Sequence, residues 1–218
     1  VTADGAAWSF GSGFYGELGH GDWQAQLLPK KIEAFTGRRV VAVSAGSDHS
    51  LAITANGSAW SWGGGYAGEL GHGDTQRQLL PKKVEVFAGQ RVVAVAAGAR
   101  HSLARTADGA VWSWGEGRGG QLGHGDGQDQ LLPKKIEAFA GQSVVAVSAK
   151  AVHSLAITVD GSVWSWGFGG QGRLGHGDGQ DQLLPKKVEG FAGQHVVAVS
   201  AGRHASHHIT SDGAVLAR

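Results

Sequence analysis

A period of 52 residues runs through this chain without a slip. Trp8, Trp60, Trp112 and Trp164 are spaced by it, and so are Pro29, Pro81, Pro133 and Pro185. Thr2, Thr54, Thr106, Thr158 and Thr210 keep the same register, so no copy carries an insertion. A unit of this length cannot bury its apolar face alone and must stack on its neighbours. The units 2–53, 54–105, 106–157 and 158–209, with a partial copy at 210–218, are therefore expected to form a single repeat domain over 1–218.

Each unit reads as strands. RVVAVSAG at Arg39–Gly46 is rich in β-branched and small residues, SLAIT at Ser50–Thr54 alternates, and AWSWG at Ala59–Gly63 places Trp60 and Trp62 on one side. LPKKVEVF at Leu80–Phe87 is a more polar fourth segment, and its Pro81 suits an edge strand. The Asn-Gly and Asp-Gly dipeptides between the second and third segments favour tight hairpins. No segment carries a helical stripe of ten or more residues.

Four antiparallel strands per unit predict an all-β chain, a β-propeller of about four four-stranded blades. The small residues of VVAVSAG place that strand innermost, where a blade is narrow. The chain begins on a third strand and ends on another copy of it, GAVLA at Gly213–Ala217. The N-terminal strands are thus able to complete the C-terminal blade and close a small ring. Alternatively the chain is an arc of a larger propeller, or two chains complete each other as a homodimer through their unfinished ends.

Written out, the unit is VVAVSAGxxHSLAITxDGxVWSWGxGxxGQLGHGD followed by LLPKKV. It resembles the repeat of the regulator of chromosome condensation (RCC1) family over essentially the whole chain. The resemblance implies a propeller, usually of seven blades. Among family activities it implies guanine-nucleotide exchange on a small GTPase, which the founding member performs with a wedge inserted between blades. Units of equal length leave no such wedge here. A light-sensing branch uses a Trp in a Gly-Trp-Arg-His-Thr run; here the run is GSDHS, GARHS and KAVHS, without Trp. Other family members are interaction modules, some attached to ubiquitin ligases.

Bulk properties narrow the function classes. Lys and Arg total 19 against 18 Asp and Glu, so no global field draws in nucleic acid or a membrane surface. With no Cys there is neither a disulfide framework nor a thiolate site, which fits an intracellular compartment, cytoplasm or nucleus. No apolar run reaches membrane-spanning length. A chain that starts with Val and contains no Met is expected to be a piece of a longer protein.

The recurring LGHGD segment holds His20, His72, His124 and His176, each two residues before an Asp. Four equivalent copies around a ring do not converge as catalytic groups must, so they are expected to fix the crossing between strands. His49, His101 and His153 are expected to be buried and hydrogen-bonded. The fourth copy reads GRHASHHIT, which offers His204 and His207 as weak metal candidates and a His-dependent metal enzyme as the third functional reading. His207 and His208 point to opposite faces of a strand, and no carboxylate ligand stands nearby. The Lys pairs read as a solvated edge. Seven of the eight Trp recur in the third strand and are expected in the core, whereas Trp23 sits in a loop.

The scaffold is best read by its differences. Positions that vary between copies are freed from packing and can carry specificity. The loop after Trp-Gly holds Phe14, Tyr15, Tyr66, Glu116, Arg118, Phe168 and Arg173; the loop after LGHGD holds Trp23, Arg77, Asp129 and Asp181; the inner turn holds Asp48, Arg100, Val152, Arg203 and His204. Aromatics and Arg are common interface anchors. Tyr15, Trp23, Asp48, Tyr66, Arg77, Arg100, Arg118, Phe168, Arg173 and Arg203 are therefore the expected protein-binding residues of a non-enzymatic scaffold with a protein partner. No catalytic group and no cofactor is expected.

Overall fold

The computed structural model describes residues 1–211 and the backbone of 215–217. β1 (Trp8–Gly11) and β2 (Gln26–Lys31) form a two-stranded sheet. Three complete blades follow, each a four-stranded antiparallel meander in sequence order. They are β3 (Val40–Ala45), β4 (His49–Thr54), β5 (Ala59–Gly63) and β6 (Gln78–Lys83); β7 (Val92–Ala97), β8 (His101–Thr106), β9 (Val111–Gly115) and β10 (Gln130–Lys135); and β11 (Val144–Lys150), β12 (His153–Thr158), β13 (Val163–Gly167) and β14 (Gln182–Lys187). A three-stranded sheet of β15 (Val196–Ala201), β16 (Ser206–Thr210) and β17 (Val215–Ala217) ends the chain.

The first strands line the inside, β3 beside β7, β7 beside β11 and β11 beside β15. Their small side chains permit this approach and bond across it. The Ala97 N–H donates to Ser44 Oγ at 3.0 Å, and the Ala201 N–H to Ser148 Oγ at 3.0 Å. Ala96 occupies the corresponding place in β7 and offers no acceptor. The fourth strand is shorter than its sequence implies. It ends at Lys83, and Glu85–Phe87 turns into a single 3-10 turn that buries Phe87. That ring then plugs the seam to the next blade, 5.6 Å from Trp112 and 5.9 Å from Trp114. Phe35 does the same for Trp60 and Trp62, and Phe139 for Trp164 and Trp166. The Trp-x-Trp strands thus make their core between blades rather than within one.

The two ends do not join. β1–β2 and β15–β17 remain separate sheets, so the fold is the arc and not the self-closed ring. One expectation changes with it. Trp8 and Phe10 stand in third-strand positions but are 46% and 65% exposed. Their sheet has two strands, and among the described residues no other blade covers them.

Candidate interaction face

The LGHGD segments are scaffold. Ser9, Ser61, Ser113 and Ser165 each donate to the backbone carbonyl of the LGHGD leucine at 2.6–2.7 Å. With their protons used, the same hydroxyls accept from Nε2 of His20, His72, His124 and His176 at 2.9–3.0 Å. The Asp of each segment accepts the N–H two residues on, as Asp22 does from Gln24 at 3.0 Å. Gly71 shows why glycine is needed. It sits at φ +75°, and a Cβ there would fall 2.9 Å from Trp114 Nε1. Each His is held within its own blade, and the four do not converge.

A second set of bonds stitches blade to blade. The backbone carbonyl of Glu69 accepts from Ser102 Oγ at 2.8 Å and from Trp114 Nε1 at 2.8 Å. Glu17 and Gln121 receive the same pair from the blade that follows them. The hydroxyl proton is again used, so Ser102 accepts from His49 Nε2 at 2.9 Å, Ser154 from His101 at 2.9 Å and Ser206 from His153 at 3.1 Å. The Nδ1 atom of each of these histidines is buried without a partner. A proton there would bring a charge into a buried seam. Burial accordingly holds His49 and His153 at about 4, and burial with the two neighbouring imidazoles holds His101 at about 3.

The meander sends the β3–β4 turn and the β5–β6 loop to the same end of a blade, so all three groups of variable positions meet on one face. Backbone bonds tie them there: Gly64 N–H to the Asp48 carbonyl at 2.7 Å, Glu116 N–H to that of Arg100 at 2.8 Å, Phe168 N–H to that of Val152 at 3.0 Å. At the first seam Tyr15 meets Tyr66 edge-on at 5.9 Å and Phe14 at 5.1 Å. The Arg77 guanidinium lies over both tyrosines, 5.5 and 4.9 Å from their centroids. Trp23 is 60% exposed in the neighbouring loop. At the seam between the second and third complete blades Arg118, Val152, Phe168, Glu116 and Gln121 line a depression of about 310 Å³. Arg100, Arg118 and Arg203 are exposed, and Asp48 is half-buried.

Arg173 is placed differently from its companions. It is only 5% exposed, donates to the carbonyls of Gly170 and Arg203, and lies 4.9 Å from the Phe168 ring. Its variation between copies is absorbed by packing. Asp129 and Asp181 also serve the backbone, accepting from Gly117 and Gly169 at 2.9 and 2.8 Å. Sequence reading did not foresee that role, although an Asp 12 residues after a loop glycine in two copies was its signal. His204 and His207 are exposed on the last sheet, and His208 is buried. Among the described residues no three His, Cys, Asp or Glu side chains gather into a metal-binding group. Nor is any helix there long and apolar enough to cross a membrane.

The family model of the RCC1-like domain matches residues 1–208. This chain belongs to the RCC1-like domain family. It is 38% identical over 206 residues to the ultraviolet-B receptor UVR8 of Arabidopsis thaliana, covering 94% of the chain and 47% of the receptor. It is 42% identical to the human E3 ubiquitin-protein ligase HERC2, covering 100% of the chain and 4% of the ligase. Among solved structures, human WBSCR16 superposes with a TM-score of 0.87 at 25% identity, covering 100% of this chain and 57% of that one. Yeast RCC1 (Prp20), solved with Kap60, superposes at 0.80 and 25%, covering 93% and 49%. The RCC1-like domain described here thus spans about half the length of UVR8 and of these two solved chains, and a small part of HERC2.

Proposed function

We propose that this RCC1-like domain is a non-enzymatic protein-interaction scaffold, and that its working surface is the face carrying the β3–β4 turns and β5–β6 loops. The observation that carries the reading is the joining of Tyr15, Tyr66 and Arg77 from two sheets into one stacked group. Clustered aromatic and Arg side chains are the usual composition of binding hot spots. The repeated scaffold beneath keeps its bonding from copy to copy, so specificity resides in the loops. Relatives support a protein partner, since yeast RCC1 was solved bound to Kap60 and is described by its binding to Gsp1p and histones.

The test is a triple alanine variant at Tyr15, Trp23 and Arg77. The proteins retained by the unaltered domain are expected to be lost from the variant while its melting temperature is kept. Equal retention by a folded variant removes this face from consideration. Nucleotide exchange on a small GTPase is the second reading. The equal spacing of all four units leaves no inserted segment for it, and a nucleotide-release assay is expected to show no acceleration.

A further inference from the structure

The charged groups of this face are unevenly occupied. Most of its acids are engaged by the backbone or buried; Asp48 is half-buried, and Glu116, also half-buried, meets only Gln121 Nε2 at 3.5 Å. Glu17 accepts from the Tyr15 N–H at 2.7 Å, and Asp129 and Asp181 hold Gly117 and Gly169. Glu69 is fully buried, accepts from the Ala67 N–H, and has its carboxyl raised by burial, an effect that Arg100 partly offsets. Apart from Arg173, which donates to two backbone carbonyls, the arginines of the face have no such obligations. Among the described residues the one ion pair is Lys83–Glu85 at 3.3 Å, on an outer strand. Arg77, Arg100, Arg118 and Arg203 are exposed with no carboxylate in pairing range. Elsewhere Arg38 donates to the Ala34 carbonyl and lies over Trp60.

The lysines are mostly kept off this face. Eight of the nine lysines stand in the Lys-Lys pairs of the outer strands β2, β6, β10 and β14. The ninth, Lys150, is exposed at the end of β11 beside the inner turn; the other exposed cations of the face are Arg, whose planar fork matches a carboxylate with two parallel bonds and stacks on aromatic rings. Arg77 is already stacked in this way, which fixes its plane before any partner arrives. Beside Arg118 lies the depression under Phe168 and Val152, which has room for one apolar side chain.

Resting on the reading of this face as the working surface, we propose that its partner is an acidic protein segment: carboxylates pair with Arg77, Arg100, Arg118 and Arg203, and one apolar side chain enters the depression at Phe168.

The experiment measures fluorescence anisotropy of the full chain with a labelled glutamate-rich peptide carrying one phenylalanine. Comparison probes are the same peptide with every Glu replaced by Gln, and an oligothymidylate as a different polyanion. The glutamate peptide is expected to bind and the glutamine peptide not. Arg77→Ala and Arg118→Ala are each expected to weaken binding by about tenfold, the effect of removing one charge-assisted hydrogen-bonding group. Lys82→Ala and Lys134→Ala, on the outer strands, are expected to leave it unchanged. Three results overturn the proposal: no binding of the glutamate peptide, equal losses from the Lys and Arg variants, or tighter binding of the oligonucleotide than of the peptide. If the Tyr15, Trp23 and Arg77 variant still loses its captured proteins while the glutamate peptide fails to bind, the face stands and only this partner chemistry falls.

Discussion

Acid should unfold this domain through its blade seams. His49, His101 and His153 donate from Nε2 to a serine in the next sheet and bury an unpartnered Nδ1. In the unfolded chain a histidine takes its proton at about pH 6.5. In the folded chain these three do so only at about 4, 3 and 4. Between those values the unfolded state binds more protons, so stability is complete above pH 6.5 and falls as pH is lowered toward 4. At pH 5 each histidine accounts for a loss of about 2 kcal/mol, from about 1.4 kcal/mol per pH unit over 1.5 units. Summed over the three, which act on one another through His101, this is about 6 kcal/mol, comparable with the whole stability of many domains. The LGHGD histidines share this window, since burial holds His72 at about 4 and lowers His20, His124 and His176, but the carboxylates held by threonine hydroxyls do not. Asp108 and Asp160 are lowered from 3.8, so their contributions fail only at more acid pH. Glu69 acts in the opposite sense, because its raised carboxyl is relieved by protonation. Urea unfolding at pH 7.5 and pH 5 is the assay. With a slope of about 3 kcal/mol per molar urea, the midpoint should fall by about 2 M. His49→Gln, His101→Gln and His153→Gln together keep a donor for each serine but cannot titrate. This triple variant should be weaker at pH 7.5 and lose the share of the pH dependence that these three supply, while the share of the LGHGD histidines remains. The same midpoint drop in the variant as in the parent would refute the assignment to these histidines.

Four further outcomes follow from the packing. Phe87→Ala removes the ring that fills the seam against Trp112 and Trp114 and should cost about 3–5 kcal/mol by chemical denaturation. Ser113→Ala strips one hydroxyl from both the Leu122 carbonyl and His124 Nε2 and should cost about 1–3 kcal/mol. Asp129→Ala frees the Gly117 N–H and should lower stability by about 1 kcal/mol. Arg77→Asp offers the same acceptor to the β5–β6 loop of its own blade, and should hold or raise the melting temperature while reducing partner capture.

The blades were legible in the sequence because packing repeats with them. The Trp-x-Trp strand, the small-residue inner strand and the Asp-Gly turn each obey a local rule, and the observed strands differ from those rules by a residue or so. The fourth strand was overextended because VEVF alternates like a strand, yet Phe87 is drawn into the seam and the chain turns to deliver it. Such a cause lies in the adjoining blade, not in the local pattern. The buried, bonded state of His49, His101 and His153 was also readable. Their partners were not, since each serine stands 53 residues away across a seam. Variation among copies located the face but did not separate exposed from packed side chains. Arg118 and Arg173 vary alike in sequence, and only the neighbouring carbonyls of Gly170 and Arg203 explain why one is exposed and the other buried.

Arg77 carries the strongest argument for function on this face. In the two later blades the same position is Asp129 and Asp181, and both carboxylates close their loop onto a glycine N–H. An arginine has no acceptor and cannot make that bond. The chain therefore gives up a stabilising device that its own repeat supplies elsewhere. The guanidinium that takes its place lies over rings from two sheets and remains exposed. A residue that breaks a structural rule without repairing the loop is better explained by what it meets outside the fold. Stability and binding should therefore separate at this position. Arg77→Asp is the substitution that sets them against each other, and a gain in stability with retained capture would show that the exposed guanidinium serves no partner.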